Sequence, residues 1–454
     1  MENKKIHILG ICGTFMGGLA LLAREAGYQV TGCDQNIYPP MSDHLKEQGI
    51  NIIKGYSVSD LPEADIYLVG NALSRDNEAL EYLLNNKSNL RSGPEWLYDA
   101  ILRTKRVIAV SGTHGKTTTT AMIAWIFEKY GKEIGYLIAG KPGNFEISSR
   151  LGSDDIFVIE ADEYDTAFFD KRAKFMHYHP EVLIINNLEF DHADIYADLS
   201  EIKKQFHHLV RTLSGEATII YPNNDKNIKE VLEMGCWSNK INFDGDVSEE
   251  NYYKAKSNDF SKTELSIKGQ RGILDWPMHG EHNVKNAMSA LIAANHFGIS
   301  SIDAIEGLKE FLGVARRQQL VFSNDKVILM DDFAHHPTAI EVTLNGLRSK
   351  YKVYRIIALV ELRSNTMKSG LHDHKLEDAT RNADIVYWGG VSEPQLHSLK
   401  SNSSKEIKII KDSSETVLQI LSELEPNDLI ITMSNGGFDG INKLLLDGIV
   451  SKYA

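Results

Sequence analysis

The chain has 454 residues, room for about three domains at roughly 150 residues each. Hydrophobic residues make up 42% and charged residues 24%, a globular balance that excludes disordered, collagen-like and disulfide-rich classes. Acidic residues outnumber basic ones 62 to 49, a net charge of -13, so neither nucleic acid nor membrane is expected as a partner.

The N-terminus runs straight into a strand-like stretch without the apolar core of a signal peptide. No apolar run approaches the roughly 18 residues that cross a membrane. Three cysteines (Cys12, Cys33, Cys236) without a C-x-x-C pattern fit a reducing compartment. A cytoplasmic enzyme is the expectation.

The first block reads as a βαβ unit. A strand over 5–11 is followed by Gly10, Gly13, Gly17 and Gly18, a helical run over 19–26, and a strand over 28–33 ending at Asp34. This is the layout of a dinucleotide-binding turn, with G-x-x-G-x-x-x-G spacing in place of the usual fingerprint. The glycines either bind a pyrophosphate or only permit close helix–strand packing. A strand over 66–70, Asn71, a helix over 76–85 and a helix over 95–102 continue the α/β pattern.

The second block has a strand over 106–110, then Ser111-Gly-Thr-His-Gly-Lys-Thr-Thr-Thr-Thr120, then a helix over 121–130. Strand, glycine loop with lysine and threonine, and helix form the context of a phosphate-binding loop. Two residues separate Gly112 from Gly115 where the common form has four, but the chemistry holds. Backbone N–H groups at a helix start cradle phosphate, Lys116 adds a cation, and Thr117 offers a hydroxyl to magnesium. Such a loop, at a strand end, is expected to be exposed. Apolar strands over 156–159 and 182–185 run into Glu160-Ala-Asp-Glu-Tyr-Asp165 and Asn186-Asn-Leu-Glu-Phe-Asp-His-Ala-Asp194. Ligands of open α/β sheets bind at the carboxyl ends of strands, so both acidic clusters should flank the loop. Glu160 is a credible Mg²⁺ ligand.

Short alternating stretches over 244–276 suggest an antiparallel excursion. His279-Gly-Glu-His-Asn-Val-Lys-Asn286 leads into an apolar helix over 287–297. This polar cluster is either an N-cap or a reader of a base edge. The third block begins near Arg316-Arg317. It has a strand over 327–330, Asp331-Asp-Phe-Ala-His-His-Pro337, a helix over 338–347, and a strand over 355–360 leading to Glu361-Leu-Arg-Ser-Asn-Thr-Met-Lys368. Strands over 385–388 and 429–433 follow, and 401–405 reads as a polar loop. Adjacent histidines His335 and His336 diverge, and no third ligand stands at a metal-site spacing, so zinc catalysis is not expected. His177, His179, His372 and His374 read as surface or hydrogen-bonded residues.

Gly112-Thr-His-Gly-Lys-Thr-Thr-Thr, Glu160-Ala-Asp-Glu, Asn187-Leu-Glu-Phe-Asp-His192, Gly280-Glu-His-Asn-Val-Lys-Asn286, Arg316-Arg317 and Asp331-Asp-Phe-Ala-His-His-Pro-Thr338 occur in this order. The set resembles the Mur ligases, ATP-dependent amide-forming enzymes of peptidoglycan synthesis, along nearly the whole chain. Within that family, Gly10-Ile-Cys-Gly-Thr-Phe-Met-Gly-Gly departs from the G-I-G-G-x-G-M-S-G of the branch that adds L-alanine to UDP-N-acetylmuramate. It is similar to the recycling branch, which adds the intact tripeptide L-alanyl-γ-D-glutamyl-meso-diaminopimelate. So are residues 37–41, Gly143-Asn-Phe-Glu146, Phe168-Phe-Asp-Lys-Arg172, 361–368 and Met433-Ser-Asn-Gly-Gly-Phe438.

The resemblance implies an α/β fold of three domains. They are an N-terminal Rossmann-like domain for the UDP-sugar (1–104), a central P-loop mononucleotide-binding domain for ATP (105–318), and a C-terminal Rossmann-like domain for the peptide (319–454). It implies ATP as co-substrate, Mg²⁺ as cofactor, and UDP-N-acetylmuramate and the murein tripeptide as partners. Lys116, Glu160 and His192 would be catalytic, with Thr117, Glu160 and His192 serving magnesium; because the amide-forming step needs a neutral amine, a histidine such as His335 is the candidate to take its proton. Gly112, Thr113, His114, Gly115, Lys116, Thr117, Thr118, His282, Asn283, Asn286, Arg317 and Asp332 would hold ATP. Gly13, Thr14, Phe15, Met16, Gly17, Asp34, Asn71 and Asn144 would hold the UDP-sugar. The loop of Arg363, Asn365 and Lys368 follows a C-terminal-domain strand and either clamps the far carboxylates of the peptide or only packs the domain or touches ATP. Several relatives carry a carbamylated lysine beyond the D-H motif. Residues 205–208 here are Gln-Phe-His-His, so none is expected.

Overall fold

A computed structural model describes residues 4–37, 41–191, 193, 195–402 and 406–453. His192, residues 38–40 of the 37–41 motif and residues 403–405 of the expected polar loop lie outside them; 401–402 end the helix Glu393–Asn402.

Three sheets follow one another along the chain. The first has five parallel strands in the order Asn51–Lys54, Gln29–Asp34, Lys5–Leu9, Ile66–Val69, Leu90–Ser92. The second has seven: Asn239–Phe243, Thr218–Pro222, Val182–Ile185, Arg106–Ser111, Ile156–Glu160, Gly135–Leu137 and Ser149–Arg150. All its pairings are parallel except the last. The continuous apolar runs of Val182–Ile185 and Ile156–Glu160 are fully buried, as strands covered by helices on both faces must be. The expected antiparallel excursion is the separate sheet Tyr252–Ala255, Lys262–Ile267, Gln270–Asp275. The third large sheet has six strands, and Gln319–Ser323 alone runs antiparallel, against Val327–Asp332.

Several boundaries differ from the sequence reading. The first helix is Thr14–Glu25, so Gly17 and Gly18 lie within it rather than ahead of it. A Cβ on Gly18 would stand 2.2 Å from Leu137 Cδ1 of the central sheet, and one on Gly17 would stand 2.4 Å from Met41 Sδ. These two glycines serve close packing. Through this helix the first sheet shares one apolar core with the central sheet, running from Ile6 and Leu19 to Leu137, Phe157 and Leu183. Glu25 fastens the same junction by accepting a hydrogen bond from the Leu151 N–H at 2.8 Å. The last sheet has cores of its own.

The helix over 287–297 begins earlier, as Glu281–His296. The polar cluster therefore forms the helix's first turns instead of a preceding cap.

Candidate active site

The loop after Arg106–Ser111 turns into the helix Lys116–Lys129 through two glycines with positive φ, Gly112 at 123° and Gly115 at 83°. Neither tolerates a side chain. A Cβ on Gly112 would lie 2.9 Å from the Asn187 carbonyl, and one on Gly115 would lie 2.5 Å from Asn286 Oδ1. Asn187 clamps the loop from the next strand end: its Oδ1 accepts from the His114 N–H at 2.8 Å and its Nδ2 donates to the His114 carbonyl at 3.1 Å. Asn186 donates to Thr119 Oγ1 at 3.0 Å and accepts from Ser289 at 3.2 Å. The sequence reading assigned neither asparagine a role. Their signal was their place at the carboxyl end of a buried strand beside the loop.

Lys116 is not exposed, contrary to expectation; its side chain is 12% accessible. Its Nζ donates to the Gly112 carbonyl at 2.9 Å and to Glu163 Oε2 at 3.0 Å, with Asp162 Oδ1 at 3.5 Å. Burial works against its charge, but the Glu163, Asp162 and Glu160 carboxylates outweigh burial and hold its pKa above the ordinary lysine value. Thr117 Oγ1 donates to Glu160 Oε2 at 2.8 Å, and the Ala139 N–H donates to Oε1 at 2.5 Å. Burial, with Asp162 nearby, pushes Glu160 up to about 7. A hydroxyl and an enclosed carboxylate side by side at a phosphate loop fit a hard divalent cation, whose charge would relieve that carboxylate.

Arg317 reaches this pair from the start of the third block, 3.5 Å from Thr117 Oγ1, with its guanidinium 4.4 Å from the centre of the Phe333 ring. Asp332 accepts from the Gln318 and Ala334 N–H groups at 2.7 and 2.6 Å. Burial raises it to about 6 against the pull of Arg317. Asn283 is buried and donates to the His279 carbonyl at 2.8 Å. The His282 ring is half-buried with no partner for Nδ1 among the described residues. His335 Nδ1 donates to the Phe333 carbonyl at 3.0 Å.

The first-sheet residues are less uniform. Gly13 caps the helix Thr14–Glu25, and Gly13 and Thr14 are exposed. Phe15 is half-buried beneath Lys174, whose Nζ is 4.6 Å from its ring centre. Met16 is a core side chain. Asp34 accepts from the Cys12 and Asn36 N–H groups, both at 2.9 Å, so its two oxygens brace the glycine turn. Asn71 is exposed. Asn144 donates to the Glu310 carbonyl at 3.0 Å and accepts from the Leu312 N–H at 2.8 Å. In the third domain, Ser364 caps the short helix Asn365–Lys368. Arg363, Asn365 and Lys368 are exposed, and none of their side chains makes an ion pair or hydrogen bond among the described residues.

Three α/β units around one phosphate loop, with an enclosed carboxylate beside its threonine, define a nucleotide-dependent enzyme of the P-loop type. Three family models match in succession: the Mur ligase family catalytic domain over 5–105, the Mur ligase middle domain over 110–294 and the Mur ligase glutamate ligase domain over 316–436. The chain belongs to the Mur ligase family. It is 47% identical to the UDP-N-acetylmuramate–L-alanyl-γ-D-glutamyl-meso-2,6-diaminoheptandioate ligase of Escherichia coli, covering 99% of each chain. The ligase of the same name from Haemophilus influenzae is 44% identical over 99% of this chain and 100% of its own. A UDP-N-acetylmuramate–L-alanine ligase of Clostridium acetobutylicum is 30% identical over 98% of each. The crystal structure of a murein peptide ligase from Psychrobacter arcticus superposes with a TM-score of 0.77 at 40% identity, covering 98% of each chain. No helix among the described residues is long and apolar enough to cross a membrane.

Proposed function

We propose that the protein joins the tripeptide L-alanyl-γ-D-glutamyl-meso-diaminopimelate to UDP-N-acetylmuramate, converting ATP to ADP and phosphate, and so returns murein peptide to precursor synthesis. The full-length likeness to two ligases named for this reaction, well above that to an alanine ligase, supports the choice of peptide. The observation that carries the site is the Lys116–Thr117–Glu160 group with Arg317 reaching into it from the start of the third block.

An amine and a carboxylate do not condense in water, because a carboxylate is a poor electrophile. The lactyl carboxylate of UDP-N-acetylmuramate attacks the γ-phosphorus of ATP; the bond to the ADP oxygen breaks and an acyl phosphate forms. The tripeptide amine then adds to the acyl carbon and phosphate leaves. The first step drives an anion into a polyanion, so catalysis is mainly placement of positive charge. Lys116 supplies it at the loop, handed from Glu163 and Asp162 to the β- and γ-phosphates. Arg317 supplies it from the opposite wall. Thr117 and Glu160 would hold Mg²⁺, whose charge neutralises phosphate oxygens. His192 keeps its assignment to magnesium on the motif alone, since it lies outside the described residues.

Asn283 and Asn286, with His282, would contact the adenine; Asn286 stands against Gly115 of the loop. Arg317 and Asp332 would contact ATP from the C-terminal side of the cleft, with Asp332 accepting from the Gln318 and Ala334 N–H groups. His335 would take the amine proton. Gly13 to Gly17 present the helix start to the UDP diphosphate, with Asp34 bracing the turn and Phe15 and Asn71 beside it; Asn144 would act from its loop. Arg363, Asn365 and Lys368 bind the distant carboxylates of the tripeptide.

Trapping tests the route. With ATP and Mg²⁺ present, hydroxylamine should capture a muramoyl hydroxamate, and ¹⁸O in the lactyl carboxylate should appear in the released phosphate. Label confined to the amide would exclude an acyl phosphate.

A further inference from the structure

Three ligand-type side chains meet where the central and C-terminal domains touch. His114 comes from the phosphate loop, Glu189 from the segment after Val182–Ile185, and His336 caps the helix Pro337–Lys350. One ligand atom from each lies within 4.8 Å of the others. Glu189 Oε2 is 3.9 Å from His114 Nε2 and 3.7 Å from His336 Nδ1, too far for hydrogen bonds. Both nitrogens are buried and neither has a hydrogen-bond partner among the described residues. Two buried imidazole nitrogens facing one carboxylate across a gap are expensive left alone.

The surrounding bonds orient Glu189 and His336, and Asn187 fixes the His114 backbone. Thr338 Oγ1 donates to Glu189 Oε2 at 2.6 Å. His336 Nε2 lies 3.3 Å from His372 Nε2, and the His372 ring in turn hydrogen-bonds the Phe190 backbone. With the proton of His372 on the Phe190 carbonyl, His372 Nε2 accepts from His336 Nε2–H. That leaves the lone pair of His336 Nδ1 pointing at Glu189. Metal-bound histidines are held in the same way, by donating their other ring N–H. Burial keeps both imidazoles neutral, at about 3 for His114 and about 4 for His336, with the Asp191 carboxylate acting on each.

We infer that His114, Glu189 and His336 form a binding site for one transition-metal cation of the zinc class, spanning the central and C-terminal domains. Two imidazoles and a carboxylate are a borderline-soft set suited to Zn²⁺ or Co²⁺, whereas the hydroxyl–carboxylate pair Thr117–Glu160 suits magnesium. Bonds of about 2.0–2.2 Å place tetrahedral ligands roughly 3.4 Å apart, so seating the ion needs the two Glu189 contacts, at 3.9 and 3.7 Å, and the histidine pair, within 4.8 Å, to draw together. Water completes the coordination. The reading does not depend on which amine the enzyme accepts.

The test uses the metal-free full-length protein, titrated with Zn²⁺ against a chromophoric chelator, and with Co²⁺ followed by its visible absorption. Wild type should take up one equivalent, with a four-coordinate cobalt spectrum. His336→Ala and His114→Ala should each weaken zinc at least tenfold and remove that spectrum, while Glu160→Gln retains both. The two histidines stand in different domains, so a folding failure in one variant, read by circular dichroism, leaves the other to decide. Failure of wild type to retain zinc overturns the proposal. So does loss in Glu160→Gln with wild-type binding in the folded histidine variants.

Discussion

Lys116 is held by Glu163 and Asp162 inside the cleft, so replacing it removes a phosphate partner and also strips two enclosed carboxylates of their counter-charge. Lys116→Ala should lose about 2–5 kcal/mol of transition-state stabilisation, roughly 30-fold to several-thousand-fold in rate. It should also lower the melting temperature, because breaking an enclosed ion pair is costly. Adding Glu163→Gln should restore much of the melting temperature and none of the turnover. Near-wild-type turnover in the folded single variant would remove Lys116 from phosphoryl transfer.

Glu160 gives a pH dependence of defined sign. Its folded pKa of about 7 lies above the ordinary 4.5, so the folded state binds this proton more tightly than the unfolded one. Its contribution is therefore greatest below 4.5 and is lost as pH rises through 7, at up to about 1.4 kcal/mol per pH unit. With chelator present, Glu160→Gln should melt progressively above wild type between pH 5 and pH 8, and should be inactive throughout. A constant melting difference across that range would mean that the buried carboxyl does not titrate there. Arg363 belongs to substrate recognition. A charge-assisted bond to a distant carboxylate is worth about 1.5–3 kcal/mol, so Arg363→Ala should raise the tripeptide KM about tenfold to a hundredfold. The KM values for ATP and UDP-N-acetylmuramate should barely change, since the clamp acts alike in ground and transition states. Equal losses toward all three substrates would take this loop out of peptide binding.

At the scale of elements, the phosphate loop is fixed by backbone conformation as much as by side chains. Gly115→Ala needs a positive φ and puts a methyl 2.5 Å from Asn286 Oδ1. It should abolish ADP binding by calorimetry while leaving the helical circular-dichroism signal intact. Retained affinity would show that the loop can relax.

The same elements explain what could be read from the sequence. The strands Val182–Ile185, Ile156–Glu160 and Val327–Asp332 were legible because buried parallel strands are continuously apolar. The phosphate loop was legible because its residue types stand together. The start of Thr14–Glu25 was not, because Gly17 and Gly18 disfavour a helix in isolation and are tolerated for the contact with Met41 and Leu137. The start of Glu281–His296 was missed because a polar run ahead of an apolar one reads like a cap. Lys116's carboxylate partners and the Asn187 clamp come from other strand ends, and His114, Glu189 and His336 stand far apart in the chain. Spacing alone carries no sign of such meetings.

For the molecule as a whole, the joints differ in kind. The first domain is welded to the second by a shared apolar core, whereas the third meets the second through polar contacts such as Thr338–Glu189 and Thr366–Asp191. A polar joint can open and re-form at small cost, which suits a domain that must admit a peptide and then bring its amine to an acyl phosphate. The welded joint should be intolerant. Gly18→Ile forces extra atoms onto Leu137 and should cost about 1–3 kcal/mol in denaturant unfolding. An unchanged midpoint would mean that the first two domains are not joined through this contact.

The central claim is that the chain is a ligase whose amine substrate is a peptide. The most direct measurement is ATP-dependent product formation from UDP-N-acetylmuramate, followed by mass spectrometry, with L-alanine, L-alanyl-γ-D-glutamate and L-alanyl-γ-D-glutamyl-meso-diaminopimelate offered separately. The tripeptide should support the highest kcat/KM and give a product heavier by the whole peptide less one water. Faster turnover with L-alanine than with the tripeptide would contradict the claim.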